Sequence, residues 1–186
     1  MSNTVFYVVG GALVLLIVWI VATWNSFVSA RNKTDEAWSG IDVQLKRRHD
    51  LVPNLVETVK GYAAHERATL TEVTEARAAA MRADDPAEVA RAEGALSSAL
   101  GQIRVVAEQY PELRAAENFQ GLQLQLSQLE DEIQAARRIF NSNVQNYNTR
   151  IQVFPNSLLA GKSFPPREFF ELSSPAERNV PAVSFA

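Results

Sequence analysis

The sequence contains no cysteine and only two histidines, His49 and His65. Without cysteine there is no disulfide framework, no thiolate zinc site, no cysteine nucleophile and no cysteine-linked lipid anchor. An excess of either charge is also missing. The 18 Lys and Arg face 21 Asp and Glu, a formal net charge of -3, so no basic field for nucleic acid exists. Neither histidine has a Glu three residues before it, as di-metal helical bundles require: Lys46 precedes His49 and Tyr62 precedes His65. His65-Glu66 does not open a His-Glu-x-x-His helix, because position 69 is Thr. The closest approach to a phosphate loop, Gly161-Lys162-Ser163, has Asn156 where the upstream glycine belongs. No Gly-x-Ser-x-Gly elbow is present. The expectation is a protein without catalytic residues, metal or cofactor.

What is abundant is apolar helix. Val5 to Trp24 carries no charge, and the first charged side chain is Arg31. Twenty helical residues rise about 30 Å, the hydrocarbon thickness of a bilayer. Phe6 and Tyr7 sit at one end and Trp24 at the other, where interfacial aromatics belong. A cleavable signal peptide wants a basic start and a small-x-small exit. Here Met1 to Thr4 are uncharged and the exit is Trp24-Asn25. The reading is a short N-terminus over 1–4 and a retained transmembrane helix over 5–24. Arg31, Lys33 and Lys46 to Arg48 follow the span and no Lys or Arg precedes it. The positive-inside rule then favours an external N-terminus and a cytoplasmic C-terminal domain.

Residues 25–155 read as one helical-bundle domain, interrupted before Pro155 only by Pro53, Pro86 and Pro111. Apolar residues recur at spacings of three and four through Trp38, Ile41, Leu45, Val52, Leu55, Val59, Tyr62, Leu70 and Val73. The register survives Pro53, which predicts one bent helix over about 27–80. Asp85 as N-cap, Pro86 in the first turn and Glu88 start a second helix, to about 110. A third, over about 117–154, follows a heptad-like coiled-coil stripe from Phe119 through Phe140 to Phe154. The expected fold is all-α, with three long helices packed up-down-up. Because the second is shorter, the ends of its neighbours are expected to be covered by another subunit. Residues 156–186 hold proline without periodicity, yet carry Phe164, Phe169, Phe170 and Phe185. This segment is expected to be an extended arm with short elements, docked on its own bundle or on a neighbouring protomer.

Polar residues on apolar stripes are the candidate sites. Arg48 lies between Leu45 and Val52, Glu66 between Tyr62 and Leu70, and Asn143 between Phe140 and Tyr147. They either snorkel to the bundle edge or form buried pairs that fix register. Arg48 is expected to meet Glu130 or Glu132. The run Lys46-Arg47-Arg48-His49 lies about 33 Å beyond the span on a straight helix, several Debye lengths away, and reads as a solvated, partly paired face.

Longer patterns carry a family resemblance. Arg47 to Tyr62 (RRHDLVPNLVETVKGY), Ala116 to Ile133 (AENFQGLQLQLSQLEDEI) and Phe140 to Pro155 (FNSNVQNYNTRIQVFP) resemble the bacterial LemA family. Asp35 to Trp38, Ile41 to Leu45 and the ending Pro181-Ala-Val-Ser-Phe185 are similar to it as well. The resemblance implies a single-pass protein of the bacterial cytoplasmic (inner) membrane with a helical domain and no known chemistry. It marks Arg47, Arg48, Asp50, Pro53, Asn54, Glu66, Glu117, Asn118, Phe119, Tyr147 and Asn148 as structural or partner-binding. Two functions follow as expectations. The first is a self-associating scaffold that touches lipid through one helix and organises or shapes membrane. The second is a monomeric adaptor that binds and regulates another membrane protein or a protease.

Overall fold

The computed structural model describes residues 2–171, and these are helical almost throughout. Helix α1 runs unbroken over Ser2–Tyr62, so the apolar span continues directly into the polar domain. It is followed by α2 (Arg67–Ala80), α3 (Pro86–Gln109), the single turn α4 (Pro111–Ala115) and α5 (Glu117–Gln152). Short α6 (Ser157–Ala160) and a 3-10 turn (Gly161–Ser163) come last. Gly161 has φ +46°, a left-handed conformation that costs glycine nothing. The start of α3 is built as its residues require: the Asp85 carboxylate accepts the Ala87 and Glu88 backbone N–H groups at 2.9 and 2.8 Å.

The single helix expected over 27–80 is two helices. Pro53 lies inside α1, and the break comes at residues 63–66, just past Gly61. Arg77 Nε donates to the His49 carbonyl at 2.7 Å, so α2 folds back along the end of α1 as a hairpin. The two arms face one core: Val52, Leu55 and Val59 from α1, Leu70 and Val73 from α2. Apolar phase is therefore kept through the reversal, which is why periodicity gave no sign of it.

The chain forms two compact units. Residues 41–137, with 169–171, form one, called here the bundle unit. In it Gln102 bonds Glu72 across α3 and α2, Arg104 bonds Gln123 across α3 and α5, and Arg47 pairs with Glu132 across α1 and α5. These pairings make four antiparallel arms, up-down-up-down, in place of the expected three. Leu96, Leu100, Ile103, Leu113, Phe119 and Leu126 complete the core. Tyr62, expected on the apolar stripe, is exposed near the hairpin turn.

Residues 2–40 and 138–168 form the other, the anchor unit. Its core joins Phe27 and Ala30 of α1 to Tyr147 and Ile151 of α5, closed by Ala160 and Phe164. The Phe164 ring meets Trp24 and Phe27 edge-on, with centroids 4.8 and 5.1 Å away. Up to this point the C-terminal segment packs on its own chain. Phe154, expected to end the third apolar stripe, lies beyond α5 and is 81% exposed.

Candidate functional site

The bundle unit encloses an ion cluster. Arg48 and Glu93 are both buried, and Arg48 Nη1 lies 3.4 Å from Glu93 Oε2 and 3.1 Å from Glu130 Oε2. Arg48 Nη2 donates to the Ser97 hydroxyl at 2.6 Å. The other oxygen of Glu93 lies 2.5 Å from Nε2 of buried His49. A guanidinium removed from water costs several kcal/mol unless paired, and here two carboxylates and a hydroxyl surround it. Arg47 is exposed and pairs with Glu132 at 3.8 Å. The basic run is thus divided: Lys46 and Arg47 face solvent, while Arg48 and His49 turn inward, against the solvated face expected for them. A cavity of about 190 Å³ opens beside Arg48, with Ser97, Arg104, Gln123 and Glu130 in its wall.

Pro53 explains a second feature. Having no N–H, it leaves the His49 carbonyl without its helix partner, and Arg77 from α2 supplies the missing donor. Proline, the ion cluster and the hairpin therefore meet at one position on α1. Asp50, Pro53 and Asn54 are themselves exposed on the other side of the turn. Glu66, at the hairpin end, accepts the Tyr110 hydroxyl at 3.1 Å. This bond raises the Tyr110 pKa above 10.0, burial and the carboxylate charge adding to the effect. Phe119 is buried in the core, whereas Glu117 and Asn118 are exposed at the start of α5.

The anchor unit holds the remaining candidates. Asn143 donates to the Lys33 carbonyl at 3.2 Å. Tyr147 is fully buried and donates its hydroxyl to the Pro165 carbonyl at 3.0 Å. Burial raises its pKa above 10.0, opposed by the charges of Arg167 and Arg31. Asn148 clamps residue 167 with both ends of its amide: Nδ2 donates to the Arg167 carbonyl and Oδ1 accepts the Arg167 N–H, each at 2.9 Å. The Arg167 side chain closes on Asp35 at 2.8 Å. The Tyr147-Asn148 pair thus straps residues 165–167 onto α5. Phe164 is buried here; in the bundle unit Phe170 is buried and Phe169 exposed, and Phe185 lies outside the described residues.

Sequence reasoning missed Glu93, Ser97, Arg77, Tyr110 and Arg167 as partners. Glu93 had a signal: it stands four residues after Val89 and three before Leu96, a carboxylate on an apolar stripe. Among the described residues, no three His, Asp or Glu side chains converge as metal ligands.

Arg47–Glu132 and Arg48–Glu130 join the first two resembling segments, while Asn143, Tyr147 and Asn148 of the third bond backbone carbonyls. The LemA family model matches residues 37–185, which includes every one of these segments. The chain belongs to the LemA family. It is similar to the magnetosome protein MamQ of Magnetospirillum gryphiswaldense, 24% identical over 80% of this chain and 64% of that protein. Magnetosome protein MamQ 1 of Paramagnetospirillum magneticum matches with the same identity and coverage. Protein LemA of Metamycoplasma hominis is 27% identical over 74% of this chain and 64% of its own length. The chain thus spans just under two thirds of the length of these curated relatives. With its apolar N-terminal helix, it is a membrane-associated protein of the LemA type.

Proposed function

We propose that this protein is a membrane-anchored, non-catalytic scaffold that self-associates at the bacterial cytoplasmic membrane. One observation carries the membrane seat. The Ser26–Arg150 and Lys33–Asn143 bonds run α1 and α5 antiparallel, so each step from Arg150 toward Phe154 is a step back along α1 toward the apolar span. Just past the end of α5, Phe154 and Leu158 are exposed at 81% and 73%. Side chains this apolar are normally covered. At the bilayer boundary they join Trp24 in one interfacial belt. The anchor is then a helix plus a short apolar wedge, not a helix alone. A spin label at residue 154 should be protected from a water-soluble relaxer in vesicles, and one at residue 124 should not; equal exposure would refute the seat.

Self-association is supported on the bundle unit by Val105 and Leu124. Both are exposed and stand beside the Arg104–Gln123 bond, where α3 and α5 meet. The positive-inside bias favours a cytoplasmic bundle, with the short N-terminus outside. The adaptor is the second reading. It is favoured by a groove of about 700 Å³ between α1 and α2, where Val56, Ala64 and Leu70 lie among Lys60, Arg67 and Glu75. Leu124→Arg should lower the particle mass if the scaffold reading holds, and leave it unchanged if the groove serves a monomeric adaptor.

A further inference from the structure

The anchor unit has a polar cavity of about 100 Å³ between α1 and α5, with Ser29, Lys33, Asn143, Asn146 and Arg150 in its wall. That is far more room than one water needs. Arg150 donates to the Asn146 amide oxygen at 2.6 Å and to the Ser26 hydroxyl, both neutral groups. Among the described residues neither Lys33 nor Arg150 is in an ion pair. The nearby carboxylate of Asp35 is already held by Arg167. Two solvent-exposed cations without an ion pair therefore line one cavity, beside an amide whose oxygen is taken and whose NH2 is left to donate. Beyond the apolar span this unit has six Lys and Arg against three Asp and Glu.

Height matters as much as charge. Ser29 and Lys33 stand five and nine residues past Trp24, about 7 and 13 Å along the helix. The polar headgroup layer on each side of a bilayer is roughly 5–7 Å thick. Measured from Trp24, Ser29 falls at the outer edge of that layer and Lys33 about 6 Å beyond it, within reach of a long side chain bent back toward the phosphates.

We propose that this cavity binds a phosphate group, supplied by the headgroup of an anionic phospholipid or by free phosphate. Lys33 gives a point charge, Arg150 its remaining guanidinium N–H groups, and Ser29 and Asn146 neutral donors. The inference deepens the membrane seat of the proposed function and rests on it.

Native mass spectrometry of the full chain in detergent tests it, with three probes: phosphatidylglycerol, a phosphate-free glucosyl diacylglycerol, and inorganic phosphate. The wild type should retain one phosphatidylglycerol in preference to the glycolipid. Lys33→Gln should weaken that retention about five-fold. Ser29→Leu should abolish it by filling the cavity at unchanged charge, and Lys60→Gln on the bundle unit should leave it intact. Displacement by millimolar inorganic phosphate identifies free phosphate as the ligand; resistance to it identifies the lipid headgroup. Equal retention by the wild type, Lys33→Gln and Ser29→Leu would overturn the site. Vesicle flotation is read separately: a wild type that fails to float would refute the membrane seat, while the phosphate arm still reads the cavity.

Discussion

The two units spend their polar residues differently. The bundle unit carries 11 Lys and Arg against 16 Asp and Glu over residues 41–137, yet it buries an arginine, a histidine and a glutamate in its centre. The anchor unit carries an excess of basic residues, and its core is aromatic, closed by hydroxyl and amide bonds to backbone carbonyls. In the bundle, charged groups are buried and paired across helices; in the anchor, Lys33 and Arg150 stand exposed without an ion pair among the described residues. The difference follows from what each unit must do. Four similar amphipathic arms can pack in several registers, and on the proposed reading a buried ion cluster selects one of them.

The contrast is broken most severely by removing the shared carboxylate. Glu93→Ala leaves Arg48 with the Ser97 hydroxyl and the half-buried Glu130 carboxylate and removes the His49 ring's carboxylate partner, and should cost about 3–5 kcal/mol in denaturant unfolding of the full chain in detergent. The triple change Arg48→Met, His49→Leu, Glu93→Leu should be neutral or stabilising, because a packed apolar replacement avoids desolvation. If it loosens the assembly while keeping stability, the cluster serves register and not energy.

Arg77→Met is next. It orphans the His49 carbonyl beside Pro53 and should cost about 1–3 kcal/mol. Rescue by Pro53→Ala, which returns the N–H to the helix, would show that the arginine compensates the proline. A double variant without such rescue would separate the two.

In the anchor unit, Tyr147→Phe removes one hydroxyl bond and should cost about 1 kcal/mol. Its pH dependence is also set. The folded-state pKa values of Tyr147 and Tyr110 are both raised above 10.0. Their contribution is therefore present below pH 10 and is lost as pH rises through the folded values. The Tyr110→Phe, Tyr147→Phe double variant should flatten the alkaline limb of a stability profile. The smallest effect expected is Asp35→Asn, less than about 1 kcal/mol, because the Arg167 pair is solvent-exposed and screened by salt.

Much of this was legible from residue order. The apolar span, the all-α fold and the Asp85-Pro86 helix start are local patterns, and each appears where its chemistry puts it. Arg48 on a seam position also pointed to Glu130 or Glu132; Glu130 lies 3.1 Å away, and Glu132 pairs with Arg47 instead. The hairpin at residues 63–66 was not legible. Periodicity records only the phase of apolar residues, and two arms lining one core preserve phase whether the chain continues or reverses. Gly61 was the one local break signal, and Pro53, the stronger one, lies inside an intact helix whose lost bond is replaced from 24 residues further on (Arg77). That error also hid the fourth arm, and with it Arg77. Spacing marks Glu93 as a carboxylate on an apolar stripe but not what it meets, and the Arg48–Glu93 pair and the Asn148–Arg167 clamp are long-range pairings on which one helix's spacing is silent.

The scaffold reading is tested most directly by the size of the native particle. Full-length protein extracted in mild detergent with its lipid, imaged by electron microscopy over a wide concentration range, should form one closed assembly of constant size. Leu124→Arg should dissolve that assembly while leaving the protein folded and membrane-bound. A wild-type protein that is monomeric at every concentration would contradict the account.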